Sequence, residues 1–295
     1  MANVFEGFES RVEENAALAP LTWYRIGGPA RWLVHPADAE ELRTLARRCA
    51  QAGIRALVLG GGANLLVPDE GVDAAVFRLD APYWREFSAA GNLVTARSGA
   101  DMQAVARFCV RSGLAGLECM AGVPGTVGGC VRMNAGGKYG EIGALVTRVK
   151  VMSADGEVFE RTREDLVFSY RKSNIAATFI IEAEFELEKE EDPDALVKRF
   201  KEIWMFKKNS QPLGSKSAGC TFKNPLGAAA GALIDQAGLK GRRIGNAEVS
   251  SVHANFIVAH PGCRASDIRD LIELVRTDVQ QKHGVLLEPE VVIWK

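Results

Sequence analysis

Three glycine clusters within about 80 residues constrain this chain more than any other feature. They are Gly60-Gly61-Gly62 directly behind a predicted strand, the run Gly122-Val123-Pro124-Gly125-Thr126-Val127-Gly128-Gly129, and Gly136-Gly137 following Asn134. Glycine lets successive N–H groups turn into one concavity and lacks the Cβ that would keep a phosphate at a distance. One Gly-Gly pair reads as a tight turn. Three clusters, one led by a strand, read as loops that converge on a diphosphate without needing a lysine. No G-x-G-x-x-G opens a helix, so a Rossmann dinucleotide site has no support. The P-loop pattern is also absent, because Lys138 is followed by Tyr139.

The surrounding pattern predicts an α+β protein with strands of mixed direction. Residues 38–52 read as a helix with Asp38 as cap, Glu41 completing a capping box, and Leu42, Leu45, Ala46 and Cys49 on one face. Gly53 stops it, and Ile54–Leu59 reads as a buried strand. A second helix runs from about Asp101 to Ser112, and a hairpin turns at Asp155-Gly156. Residues 178–188 alternate, with Phe179, Ile181, Ala183, Phe185 and Leu187 facing one way and Glu182, Glu184, Glu186 and Glu188 the other. That predicts an antiparallel strand with one wet face. The charged run from Lys189 to Asp194, interrupted by Pro193, is the expected domain boundary. Helices follow near 194–208, 230–237 and 266–283, the last with Ser266 as cap and Gly284 as stop. Val285 to Trp294 reads as an apolar terminal strand that carries Glu290.

Thirty-six Lys+Arg balance 37 Asp+Glu, so no global field favours nucleic acid or an anionic membrane. No apolar stretch reaches transmembrane length, and no signal pattern is visible at the N-terminus, which predicts a cytoplasmic protein without membrane insertion. Six cysteines show neither C-x-x-C pairing nor zinc-finger spacing, so no metal site is expected and most should be buried thiols.

Nine segments occur together in one order: Thr22–Gly28, Leu59–Val67, Gly122–Gly129, Met133–Gly136, Tyr170–Ser173, Ser217–Pro225, Ala237–Gly241, His253–Val258 and Leu287–Val291. The series resembles the UDP-N-acetylenolpyruvoylglucosamine reductases, flavin enzymes of peptidoglycan precursor synthesis, from about residue 20 to the C-terminus. The resemblance implies an FAD-binding domain of the vanillyl-alcohol-oxidase type over 20–190, with subdomains of about 20–80 and 81–190. A smaller α+β substrate domain over 194–295 would follow. It implies non-covalent FAD, NADPH as reductant and a UDP-sugar enolpyruvyl ether as substrate, and leaves the oligomeric state open, a monomer included. Only 39 residues lie between Arg171 and Gln211. This resembles the short form of the family, without the loop that lays a tyrosine over the substrate.

Residue by residue, the resemblance assigns FAD contacts to Gly60, Gly61, Gly62, Ala63, Asn64, Leu65, Gly122, Pro124, Gly125, Thr126, Gly129 and Asn134. Tyr170, Lys223 and Asn224 match positions that touch the sugar nucleotide. Arg171, Cys220 and Glu290 match the catalytic positions. The implied reaction adds hydride to the carbon beta to a carboxylate and a proton to the other alkene carbon, so the site must stabilise an enediolate and then protonate it. Arginine suits the carboxylate as a bidentate, permanently charged partner. A carboxyl at Glu290 would help polarise the enediolate if protonated or hydrogen-bonded.

Two positions depart from the family pattern. Cys220 replaces the usual serine in Ser-Ala-Gly-Ser, and a thiol titrates at about pH 8.5 where serine does not. Ala63 replaces the usual serine of the first glycine loop, which removes one hydroxyl contact to the diphosphate. His253 and Asn255 read as structural residues. His35 lies outside the glycine clusters, so no covalent flavin link is expected there.

Overall fold

The computed structural model describes residues 4–295, and the chain forms two compact units. The first contains the segment up to Asn15, Arg31–Gly61 and Asp73–Lys207. The second contains Ala16–Ala30, Gly62–Val72 and Lys208–Lys295. The first glycine cluster is thus divided, with Gly60 and Gly61 in one unit and Gly62 in the other. No helix among the described residues is long and apolar enough to cross a membrane.

The first unit is built on two sheets. Strands β1 (Val12–Ala17), β2 (Pro29–Val34), β3 (Ala56–Val58) and β4 (Val72–Phe77) lie in the order β1-β2-β4-β3. Helix α1 (Ala39–Gln51) precedes β3, and its Leu42, Leu45, Ala46 and Cys49 are buried as their spacing predicts. Asp38 caps it by accepting from the N–H groups of Glu40 and Glu41. The Glu41 carboxylate reaches past the cap to the Ala37 N–H at 2.7 Å, so the predicted box is shifted by one residue. β3 is an edge strand, not the buried strand expected from its apolar run. Val58 is 37% exposed.

The second sheet is antiparallel throughout: β5 (Phe87–Ala90), β6 (Leu93–Arg97), β7 (Val146–Met152), β8 (Val158–Thr162) and β9 (Phe179–Glu186), in the order β8-β7-β9-β6-β5. The strict alternation expected in β9 is broken. Lys150 pairs with Glu182 and Val151 with Ile180, leaving Ile181 without a partner on β7. A β-bulge of this kind reverses the faces on either side of it. Phe179 and Ile181 enter the core under α1, while Ala183 and Phe185 join the core formed with α2 (Met102–Arg111). The wet face begins at Glu182, and Glu184 answers Arg148 at 3.2 Å.

After α3 (Val127–Arg132) and α4 (Pro193–Ser210), the second unit packs α5 (Ala230–Gln236) and α6 (Ala265–His283) against the strands β10 (Arg243–Ile244), β11 (Ala247–Val249) and β12 (Ile257–Ala259). Ile268, Leu271, Ile272, Val275 and Val279 form the buried stripe of α6, and Gly284 ends it at φ +69°. The expected Ser266 cap is corrected: the N-cap position is Arg264. The Asp69 carboxylate accepts from the N–H groups of Ala265 (2.7 Å) and Ser266 (3.0 Å). Burial pushes the Asp69 pKa up, but these N–H donors, the Ser266 side chain and Arg264 outweigh it and hold the carboxyl below its usual range. Asp69→Ala is therefore expected to lower stability by about 1–2 kcal/mol at neutral pH. A group with a depressed folded pKa contributes above its unfolded pKa, and the contribution is lost as pH falls through the folded one. The difference between parent and variant in urea melts should close in acid. A difference that persists there would show that the carboxylate is not the source.

The terminal strand expected from Val285 to Trp294 is reduced to Val292–Ile293, which pairs in parallel with Leu65–Leu66. Pro289 supplies no N–H, and the residues on either side of it pair elsewhere: Lys223 N–H donates to Glu288 O, and Glu290 N–H to Thr221 O.

Candidate functional site

In the first unit the two glycine loops meet. A Cβ on Gly61 would stand 2.8 Å from Gly125 Cα, and one on Gly60 would stand 2.8 Å from Thr126 Oγ1. The Gly61 position admits no side chain, because a Cβ there would strike the backbone of the second loop. Beside it opens a cavity of about 250 Å³, lined by Gly60, Gly61, Thr126, Gly128 and Gly129 and by Arg78, Asp80, Arg85, Ser98, Arg132 and Thr178. Thr126 precedes α3 (Val127–Arg132), and its hydroxyl faces the Gly129 N–H at 3.4 Å. The Ser98 hydroxyl is buried and has no hydrogen-bond partner. An orphaned donor beside side-chain-free loops suits an oxygen-rich ligand.

The third glycine cluster does different work. A Cβ on Gly136 would lie 2.3 Å from Gly140 O, so the pair makes a tight hairpin with Gly140–Glu141. That hairpin holds Arg171. The Arg171 Nη2 donates to Gly136 O at 3.0 Å, and Nη1 lies 3.4 Å from Glu141 Oε1. Its side chain is 14% exposed, its guanidinium stands 4.8 Å from the Tyr170 ring, and its backbone is left-handed at φ +56°. A non-glycine residue held there is strained, which the surrounding contacts must support.

In the second unit, Gly219 turns at φ +75° and presents Cys220 partly exposed. Thr221 joins this loop to the terminal segment by accepting from the Glu290 N–H at 2.8 Å. The Asn64 amide donates to Glu290 O at 3.1 Å. Asn255 clamps the loop from behind: its carbonyl accepts from Thr221, its Oδ1 from the Phe222 N–H, and its Nδ2 donates to Phe222 O. His253 accepts at Nδ1 from the Asn255 N–H, and burial lowers its pKa, so it is a neutral brace.

The carboxyl-terminal part of the chain, residues 211–294, matches the model for the C-terminal domain of UDP-N-acetylenolpyruvoylglucosamine reductase. Residues 30–162 match an FAD-binding domain. The Desulfosudis oleivorans enzyme of that name is 39% identical, over 97% of this chain and 95% of its own. The Bradyrhizobium enzyme is 37% identical, over 95% and 91%. The crystal structure of the Thermus caldophilus reductase superposes with a TM-score of 0.83 at 35% identity, covering 97% of this chain and 99% of that one. The chain belongs to the UDP-N-acetylenolpyruvoylglucosamine reductase family. The fold is α+β, with an FAD-binding domain of the vanillyl-alcohol-oxidase type and the family's C-terminal domain.

For a member of this reductase family, the cofactor positions expected from sequence separate into two kinds. Gly60, Gly61, Thr126 and Gly129 line the cavity. Gly125 backs Gly61, and Gly122 rests on the Lys207 side chain. Pro124 completes that loop and is not among the lining residues. Asn134 is buried, and its amide bonds Glu141, Ser169 and Gly143, so it organises the Arg171 hairpin. Gly62 turns at φ +64° against Leu21 O, Leu65 is buried in its strand pair, and Ala63 and Asn64 continue that segment. Sequence reading missed Arg78, Asp80 and Arg85, which come from one stretch, Arg132 on α3, and Ser98 and Thr178 from two further parts of the chain. His35 is not in the cavity lining and bonds Asp80 at 2.9 Å.

Among the expected substrate contacts, Tyr170 is exposed, Lys223 is tied to Glu288 at 2.6 Å, and Asn224 bonds the Ala230 N–H at the start of α5. The other five cysteines are buried. Burial pushes Cys49 and Cys119 up to about 11, and Cys109, Cys130 and Cys263 to about 12. Brief treatment of the native protein with iodoacetamide is therefore expected to give one adduct, on Cys220. Labelling of a buried cysteine first, seen by peptide mass mapping, would contradict this.

Proposed function

We infer that the protein is a UDP-N-acetylmuramate dehydrogenase. It reduces UDP-N-acetylglucosamine enolpyruvate to UDP-N-acetylmuramate for peptidoglycan precursor synthesis, with FAD as resident cofactor and NADPH as reductant. The full-length likeness to the reductases, joined to a cavity built from two glycine loops, carries this reading. Gly60, Gly61, Thr126, Gly129 and Ser98 would hold FAD through hydrogen-bond donors and side-chain-free backbone, without a covalent link. Bound there, FAD supplies the hydride that it takes from NADPH. We place the flavin part at about 20–190, the substrate part from 194 onward, and the reaction in the cytoplasm with a soluble protein.

The residues of the chain do the remaining work. Arg171 holds the substrate carboxylate and stays charged throughout the working pH range. As hydride reaches the carbon beta to that carboxylate, negative charge moves into an enediolate, and the guanidinium stabilises it. Glu290, in its protonated or hydrogen-bonded form, polarises the same oxygens. The Cys220 thiol delivers its proton to the alpha carbon, leaving a thiolate that solvent reprotonates. Tyr170, Lys223 and Asn224 contact the sugar nucleotide. Incubation with NADPH and the enolpyruvyl substrate should yield a UDP-sugar heavier by one molecule of hydrogen. Recovery of unchanged substrate from the flavin-loaded protein would sink the assignment.

A further inference from the structure

The hairpin that holds Arg171 ends in a turn of two residues, Lys138 and Tyr139, between Gly137 and Gly140. Its strands face the guanidinium: Gly136 O accepts from Nη2 at 3.0 Å, and Glu141 Oε1 lies 3.4 Å from Nη1. Its tip reaches the last turns of α4. There the Tyr139 ring stands edge-on to the Phe206 ring, with centroids 5.9 Å apart and planes at 81°. The Lys138 ammonium lies over both rings, 5.7 Å from the Tyr139 centroid and 5.4 Å from that of Phe206. Both distances are within cation–π reach, and the rings hold the ammonium without neutralising its charge.

At this point α4 exposes three large apolar side chains in succession, Trp204, Met205 and Phe206. Phe206 is 49% exposed and Tyr139 40%. A helix ordinarily turns such residues inward, and an exposed run of them marks a surface that binds something. The patch also borders the second glycine loop, where a Cβ on Gly122 would stand 3.7 Å from Trp204 Cδ1. That loop runs on to Thr126, Gly128 and Gly129 in the cavity lining. The exposed rings are therefore continuous with the Arg171 hairpin on one side and with the glycine loop of the cavity on the other.

We propose that Tyr139 and Phe206 form the platform on which the nucleobase of the sugar nucleotide lies, with the Lys138 ammonium turned toward its diphosphate. The proposal deepens the reductase reading and rests on it. The chemistry recognised is that of a nucleoside diphosphate, a flat ring against flat rings and an anion against a cation. Both the substrate and NADPH carry it, and the hairpin decides for the substrate. The strand that holds Arg171 at Gly136 reaches Tyr139 three residues later, at most about 11 Å of chain. A substrate whose carboxylate lies on Arg171 covers that interval with its sugar and diphosphate.

The test titrates UDP into the FAD-loaded parent and into Tyr139→Ala, Phe206→Ala, Phe206→Tyr and Lys138→Gln by calorimetry, and follows flavin bleaching across NADPH concentrations. Removing either ring is expected to weaken UDP by about tenfold, while Phe206→Tyr, which keeps a ring, binds like the parent. Lys138→Gln should weaken UDP by about fivefold and flatten its dependence on salt. KM for the enolpyruvyl substrate should rise with the loss of UDP affinity, and half-saturation of bleaching by NADPH should not move. Parental UDP affinity in both alanine variants would overturn the proposal. A change confined to NADPH would give the platform to the reductant and overturn it as well. So would self-association of the parent that Phe206→Ala abolishes at unchanged UDP affinity, since the patch would then belong to a second copy. If one alanine variant does not fold, the other and Lys138→Gln decide by the same readings. A parent that neither binds UDP nor turns over takes the reductase reading with it; a parent that turns over, with variants that bind UDP as it does, sinks this proposal alone.

Discussion

Cys220→Ala is expected to lower turnover of the enolpyruvyl substrate by about a hundred- to ten-thousand-fold, the usual effect of removing a positioned general acid. Bleaching of the protein by NADPH should keep its parental rate, because that half of the cycle needs no proton from the thiol. Cys220→Ser should recover most of the turnover and change its pH dependence. A thiol ordinarily titrates near pH 8.5; once ionised it has no proton to give, so the parent's rate falls as pH rises through the thiol's pKa. A serine hydroxyl does not titrate in this range, and the alkaline fall should disappear. Stopped-flow traces of the two half-reactions, each taken across pH, make the comparison. An alanine variant that turns over like the parent would remove Cys220 from the mechanism. Identical alkaline limbs in parent and serine variant would assign the limb to another group.

Arg171→Met should reduce kcat/KM by about a hundred- to a thousand-fold, the range for deleting one partner of a desolvated, hydrogen-bonded charge pair. Arg171→Lys should recover only part of this, since an ammonium lacks the planar fork that grips both carboxylate oxygens. The native Glu141 pairing at 3.4 Å is partly exposed, and such pairs stabilise by about 0–1 kcal/mol. The folded protein and its FAD content should therefore survive the substitution. Steady-state kinetics beside flavin absorbance on the purified variants check both statements. A methionine variant with parental kcat/KM would show that the carboxylate is held elsewhere. One that loses its flavin would make Arg171 a scaffold residue.

Local chemistry explains what could be seen in the sequence. Asp38 and Asp101 cap α1 and α2 because cap, stripe and stop lie within one contiguous segment. The first two glycine clusters revealed the cavity floor for the same reason: backbone that must pass close to another backbone, as Gly61 does to Gly125, has to lack a Cβ. The Cys220 loop was legible through its flanking residues and Gly219. What stayed hidden depends on partners distant in the chain. The cap of α6 comes from Asp69, 196 residues before Ala265. The face reversal in β9 arises from its pairing with β7, and nothing in residues 178–188 announces it. Arg78, Ser98 and Thr178 enter the cavity lining from three separate stretches of the chain, so no spacing marks them as a set. Phe206 reads as one apolar residue of α4 until Tyr139 is seen against its ring.

The reductase assignment itself is tested most directly by colour. Under strict anaerobiosis, the purified yellow protein should be bleached by NADPH, and addition of UDP-N-acetylglucosamine enolpyruvate should restore the colour with one equivalent of UDP-N-acetylmuramate formed per flavin. A protein that NADPH leaves yellow, or that recovers its colour only on admission of air after bleaching by an alcohol, would contradict the account.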